Sequence, residues 1–233
     1  MRNILWFLGE DLPTVAVGFG IRLLIIFAIL PVHEFAHAWA ANRLGDSTAK
    51  RMGRLTLNPM VHLDVMGALF LLFVGFGWAK PVPVQPAYFT NQQKRQRGLA
   101  LVAGAGPISN LLFAIIATII LRILTCFFIP WNVAEFIAVA FYNLISINIA
   151  LAVFNLLPIQ PLDGSRILNW ILPDKWALWL DRNGRYMFIV VLIIAYSGIL
   201  SYPVDWIFSG IGGLFDWIFN SFGLYQMWEY YVL

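Results

Sequence analysis

The sequence predicts an all-α polytopic membrane protein with about four transmembrane helices, a re-entrant segment at about 65–79 and an interfacial C-terminal tail. Two observations carry that class. Of 233 residues, 61% are hydrophobic and 12% charged, with a mean hydropathy of +0.77, well outside the range of a soluble domain. The apolar residues also fall into runs matched to a ~30 Å hydrocarbon core, which about 20 helical residues span. Residues 1–233 read as one integral-membrane domain, with a core over about 14–165 and an additional span over about 186–208. There is no room for a separate soluble domain. The net charge of +3 is spread over several loops, so the bilayer, not nucleic acid, is the expected partner. The single Cys126 lies in an apolar run; it excludes an internal disulfide framework and reads as a buried thiol. No basic start with a small-residue cleavage site marks a cleavable signal peptide.

Residues 1–12 form a short mixed end, and a long helix follows from Thr14 to about Leu44, stopped by Gly45. Pro31 removes a backbone hydrogen bond and should bend this helix. Arg22, its odd charge, is expected to snorkel to the near interface. Residues 46–64, with Lys50, Arg51 and Arg54, read as an aqueous loop. The apolar stretch 65–79 is only about 15 residues long and contains Gly67, Gly75 and Gly77; that length suits a hairpin dipping into the membrane. KPVPVQP at 80–86 should be extended, either as an edge open to strand addition or as a rigid connector. Spans at about 99–129 and 133–157 follow, the second carrying Asn143, Asn148 and Asn155. Pro158 and Pro161 stop it, a basic loop occupies 165–185, and 186–208 reads as the last span. The aromatic tail 209–233 looks interfacial.

Sidedness follows from parity. If 65–79 dips in and returns, the loops 46–64, 80–98 and 165–185 share one side and hold nearly all the Lys and Arg. By the positive-inside tendency that side is cytoplasmic and both termini are external.

The informative stretch is HEFAH at 33–37. Four residues apart on a helix, His33 and His37 project from one face. Glu34 lies beside that face as a candidate general base. Ionisable residues in an apolar helix are costly and mark function, and two imidazoles with an adjacent carboxylate are the pattern of zinc peptide hydrolysis. A catalytic Zn²⁺ needs a third protein ligand. Asp163 is the best candidate, just past the proline-broken helix end, with Gly164 allowing close backbone approach; the alternative is a helix-end carboxylate facing water. Asp46 and Asp64 compete more weakly from the aqueous loop. His62, the third histidine, is expected to hydrogen-bond within its loop. Asn155 and Asn110 are amide donors for a substrate backbone or an oxyanion, or else bridge helices.

HEFAH in a membrane helix, GPISN at 106–110 and NLLPIQPLDG at 155–164 resemble, in this order, the site-2 protease family of intramembrane zinc metalloproteases. The resemblance covers about 14–165 and points to the compact prokaryotic branch without PDZ or CBS domains. It implies one Zn²⁺ per chain on His33, His37 and Asp163, with Glu34 as the catalytic carboxylate. The family's G-P-x-x-N pattern falls on Gly106, Pro107 and Asn110. Its N-x-x-P-x-x-x-L-D-G pattern falls on Asn155, Pro158, Leu162, Asp163 and Gly164. The implied activity is cleavage in or near transmembrane helices of other membrane proteins, from a site toward the cytoplasmic side. Two other readings are a metal transporter using the same three ligands and a scaffold that binds helices without cutting. A transporter has no need of Glu34, and the complete set of four residues argues against the scaffold.

Overall fold

The computed structural model describes residues 12–75, 77–125 and 131–221. The expectations for Cys126, for the N-terminal end before residue 12 and for the tail beyond residue 221 lie outside the described residues. Every regular element described is helical.

The first span is one continuous rod in three pieces: α1 (Leu12–Leu24), a π turn (Ile25–Ile29) and α2 (Leu30–Arg43). In the π turn the Leu30 N–H donates to the Ile25 carbonyl. Pro31 brings no N–H of its own, and the widened turn absorbs the mismatch just ahead of His33. The helix closes where the Asp46 N–H returns to the Ala41 carbonyl at 3.0 Å.

Two short helices, α3 (Thr48–Arg51) and α4 (Pro59–His62), lead to α5 (Val65–Val74). Asp64 caps α5 by accepting from the Gly67 N–H at 2.8 Å. The chain then doubles back on α5. A Cβ on Gly67 would lie 2.1 Å from the Trp78 carbonyl oxygen, so only glycine lets the returning strand pass this close. The hairpin ends where it began: the Lys80 N–H donates to the His62 carbonyl at 2.8 Å, and the Thr90 N–H to the Leu44 carbonyl at 2.9 Å. The segment therefore re-enters and does not cross. Arg22 differs from its expected snorkelling. Its guanidinium donates to the Leu71 carbonyl at 3.1 Å and to the Gly18 carbonyl at 2.9 Å, tying α1 to the last turn of α5.

α6 (Arg95–Thr125) and α7 (Trp131–Asn155) complete the core. Among the described residues, three helices are long and apolar enough to span a membrane: Val15–Arg43, Gln92–Leu124 and Ile137–Asn155. Lipid is as apolar as leucine, so these helices associate by close packing of small side chains. Ala38, Ala41, Val102 and Ala103, each at most 1% exposed, pack the α2–α6 region. Ala114, Ala117, Leu121, Ile145 and Ile149 join α6 to α7.

The C-terminal part departs from expectation. In place of one span over 186–208 there are two helices, α10 (Gly184–Ser197) and α11 (Ser201–Ser221), preceded by α8 (Asp163–Ile171) and α9 (Asp174–Arg182). Gly198 caps α10 in the left-handed conformation, φ 77°, and ends it. Hydropathy runs straight through that break. α11 takes in the start of the expected interfacial tail and packs on α7 through Val204, Ile207, Phe208 and Ile211.

Candidate metal centre

α2 supplies two imidazoles from successive turns, His33 at 6% and His37 at 8% exposure. Their Nε2 atoms are 3.0 Å apart. Asp163 opens α8, and its Oδ2 lies 3.3 Å from each Nε2. A tetrahedral zinc with bonds of about 2.0–2.1 Å has ligand–ligand edges of about 3.3–3.4 Å, so the three donor atoms already stand at the corners of such a site. Among the described residues they form the one group of three potential ligands.

The surroundings fit a metal as well. His37 Nδ1 lies 2.7 Å from the Val102 carbonyl; donating its proton there leaves Nε2 with the lone pair a metal takes. The space between the imidazoles and α6 exists because residue 106 is glycine. A Cβ there would lie 2.5 Å from His37 Nε2 and 2.6 Å from His33 Nε2. Burial pushes the Asp163 carboxyl up, but the neighbouring imidazoles of His33 and His37 outweigh it and hold the group below the ordinary carboxylate range. It is thus anionic at neutral pH, as a metal ligand must be. Gly164 behaves as expected: a Cβ would meet the Leu156 carbonyl oxygen at 2.2 Å.

Glu34 accepts a hydrogen bond from the Val82 N–H at 3.1 Å, which ties its carboxylate to the extended segment after the hairpin. Two buried charges, unremarkable in the sequence, anchor that segment. Arg54, expected in an aqueous loop, is only 7% exposed. It donates to the Lys80 and Pro81 carbonyls, each at 2.9 Å, and to Val61. Asp46, fully buried, accepts from the Gln85 N–H at 2.6 Å and the Thr48 N–H at 2.9 Å. Asp46 is thereby committed to the loop, Asp64 to the α5 cap, and His62 to the Thr56 carbonyl at 2.8 Å. No spacing in the sequence distinguishes Arg54 or Asp46 from ordinary loop charges.

Asn155 donates to the Leu151 carbonyl at 2.9 Å, and Asn143 and Asn148 likewise bond their own helix. Asn110 is 1% exposed, and its side-chain nitrogen and oxygen have no hydrogen-bond partner among the described residues.

The fold and this donor set define a helical membrane protein with a buried two-histidine, one-carboxylate centre. The model of Peptidase family M50 matches residues 21–129 and 129–195. The chain belongs to that family, the site-2 proteases, and is a membrane zinc metalloprotease. It is similar to YwhC of Bacillus subtilis (strain 168), named as a zinc metalloprotease, with 39% identity over 184 residues, 78% of this chain and 81% of the relative. Rip2 of Mycolicibacterium smegmatis, also named as a zinc metalloprotease, is 29% identical over 84% of this chain and 74% of its own. MJ0611 of Methanocaldococcus jannaschii, another so named, is 28% identical over 69% and 74%. No solved structure gives a significant match.

Proposed function

We propose that the chain is an intramembrane endopeptidase that cleaves peptide bonds in or near transmembrane helices of other membrane proteins, as in regulated intramembrane proteolysis. His33, His37 and Asp163 hold one Zn²⁺ per chain, and Glu34 is the catalytic carboxylate. The observation that carries this reading is the convergence of three donor atoms at 3.0–3.3 Å with Glu34 on the adjoining turn. A bound Zn²⁺ supplies Lewis acidity to the scissile carbonyl and makes water a better nucleophile. Glu34, held by Val82, accepts the proton of the attacking water and delivers it to the leaving amine. Asn155 and Asn110 offer amide groups to the substrate backbone or the oxyanion. The hydrocarbon core has no water, so a site in the loop-side half of the Val15–Arg43 span suits hydrolysis: water enters from one side while helices wall off lipid. The Lys and Arg distribution supports the cytoplasm as that side.

The test is Glu34→Gln, which keeps size and hydrogen bonding but cannot take the proton. It should retain zinc and lose cleavage of a panel of transmembrane substrates, as chelator does for the parent. Full activity of Glu34→Gln at saturating substrate would remove the base from Glu34.

A further inference from the structure

A second feature of the α2–α6 interface lies on the side of α2 turned away from Glu34. An apolar groove of about 650 Å³ runs between Val32, Phe35 and Trp39 on α2 and Leu101, Ile108 and Ile116 on α6. From Leu101 to Ile116, at ~1.5 Å rise per residue, it extends about 22 Å. That exceeds one leaflet's half of a ~30 Å core. At its loop end lies a second cavity of about 400 Å³, bordered by Arg43, Thr90, Asn91, Lys94 and Arg97. Arg43, Leu44 and Leu101 line both, so the two adjoin at these side chains. Among the described residues, no acidic side chain lines either one. The Arg43 guanidinium sits 5.3 Å over the Trp39 ring, a cation and an interfacial aromatic at one level.

We propose that the adjoining cavities are a binding site for an anionic phospholipid, with an acyl chain in the α2–α6 groove and the phosphate between Arg43, Lys94 and Arg97. An apolar groove alone accepts any lipid or helix. Three cations at its mouth, with no acid to balance them, select a negative headgroup joined to an apolar chain. A soluble phosphate ester fills only the basic half, and an apolar substrate helix fills only the other. This assignment stands apart from the peptidase reading, and lipid binding is its primary readout.

The experiment is native mass spectrometry of the purified full chain, titrated with phosphatidylglycerol or phosphatidylcholine. Each Lys or Arg beside an anionic headgroup contributes about a fivefold gain, so the first phosphatidylglycerol should bind on the order of a hundredfold more tightly at low salt. Arg43→Gln, Lys94→Gln and Arg97→Gln together should bring it down to the phosphatidylcholine level. Lys50→Gln, Lys175→Gln and Arg182→Gln, three exposed cations elsewhere, should leave it unchanged; an equal loss would mean diffuse surface attraction and overturn the site. Leu112→Trp with Ile116→Trp narrows the groove and should weaken both lipids by about tenfold or more. If that pair left lipid binding intact but abolished substrate cleavage, the groove would belong to a protein helix and the proposal would fail. Displacement of the lipid by glycerol phosphate, which has no acyl chain, would equally overturn it.

Discussion

Gly106→Ala is the smallest change that should empty the metal centre. The added methyl carbon would lie 2.5 Å from His33 Cε1 and from His37 Nε2, and 2.6 Å from His33 Nε2. Ordinary van der Waals contact begins at about 3.4 Å, so the overlap is close to 1 Å against both rings. The helices cannot part to relieve it, because Ala38, Ala41, Val102 and Ala103 leave α2 and α6 no slack. The imidazoles must move instead, and metal–ligand distances tolerate only about 0.2 Å. Overpacking of this kind costs roughly 1–3 kcal/mol, and here it falls on the liganding geometry. Zinc affinity should therefore drop by about 5- to 150-fold, measured by competition with a graded chelator. Thermal unfolding of the metal-free protein separates this from misfolding, since without zinc the rings can turn aside and the variant should melt near the parent. Parental zinc affinity in Gly106→Ala would show that the close approach of α6 to the imidazoles is not as described.

Other outcomes follow from the same geometry. His33→Ala, His37→Ala and Asp163→Ala should each fall well below one zinc per chain by metal analysis, and a normal content in Asp163→Ala would remove it from the centre. Arg54→Met strips three carbonyls of their charged donor; at about 1.5–3 kcal/mol for a hydrogen bond to a charged group, it should lower stability by several kcal/mol. Because Val82 then no longer fixes Glu34, kcat should fall more than KM rises; an unchanged kcat would separate the segment from the carboxylate. Lys50→Cys, Lys94→Cys and Lys175→Cys, each in a Cys126→Ser background, should react with an impermeant thiol reagent from the cytoplasmic face only, and Asn3→Cys from outside only. Opposite-side labelling at 50 and 94 would mean that 65–79 crosses.

What could be read from the sequence was what composition and spacing encode. HEFAH reads as two ligands and a carboxylate because four residues make one helical turn. The hairpin was legible because its apolar stretch is too short to cross, and Asp163 because parity returns it to the side of His33. Features that depend on distant partners were hidden. Arg22 looks like a snorkelling charge until the carbonyl of Leu71, 49 residues away, is placed beside it. The π turn answers Pro31 in a way that no local preference signals. The break at Gly198 lies in an apolar run where hydropathy averages over it, although the left-handed cap ends the helix. Arg54 and Asp46 carry ordinary loop composition, and only the path of 80–85 makes them clamps.

That path also bears on how the segment beside Glu34 can meet a substrate. A strand offered for pairing must present alternating N–H and C=O groups along a free edge. Over 80–86, Pro81, Pro83 and Pro86 have no N–H. The Lys80 N–H is taken by His62, the Val82 N–H by Glu34 and the Gln85 N–H by Asp46. Only Val84 keeps a donor with no protein partner among the described residues. The Lys80 and Pro81 carbonyls are already held by Arg54. A regular ladder with an unwound substrate would have to break these bonds, including the one that orients Glu34. The bond inventory therefore favours the connector reading of KPVPVQP over the pairing edge. The prolines make the connector stiff, Arg54 and Asp46 fix its ends, and its Val82 donor points at Glu34.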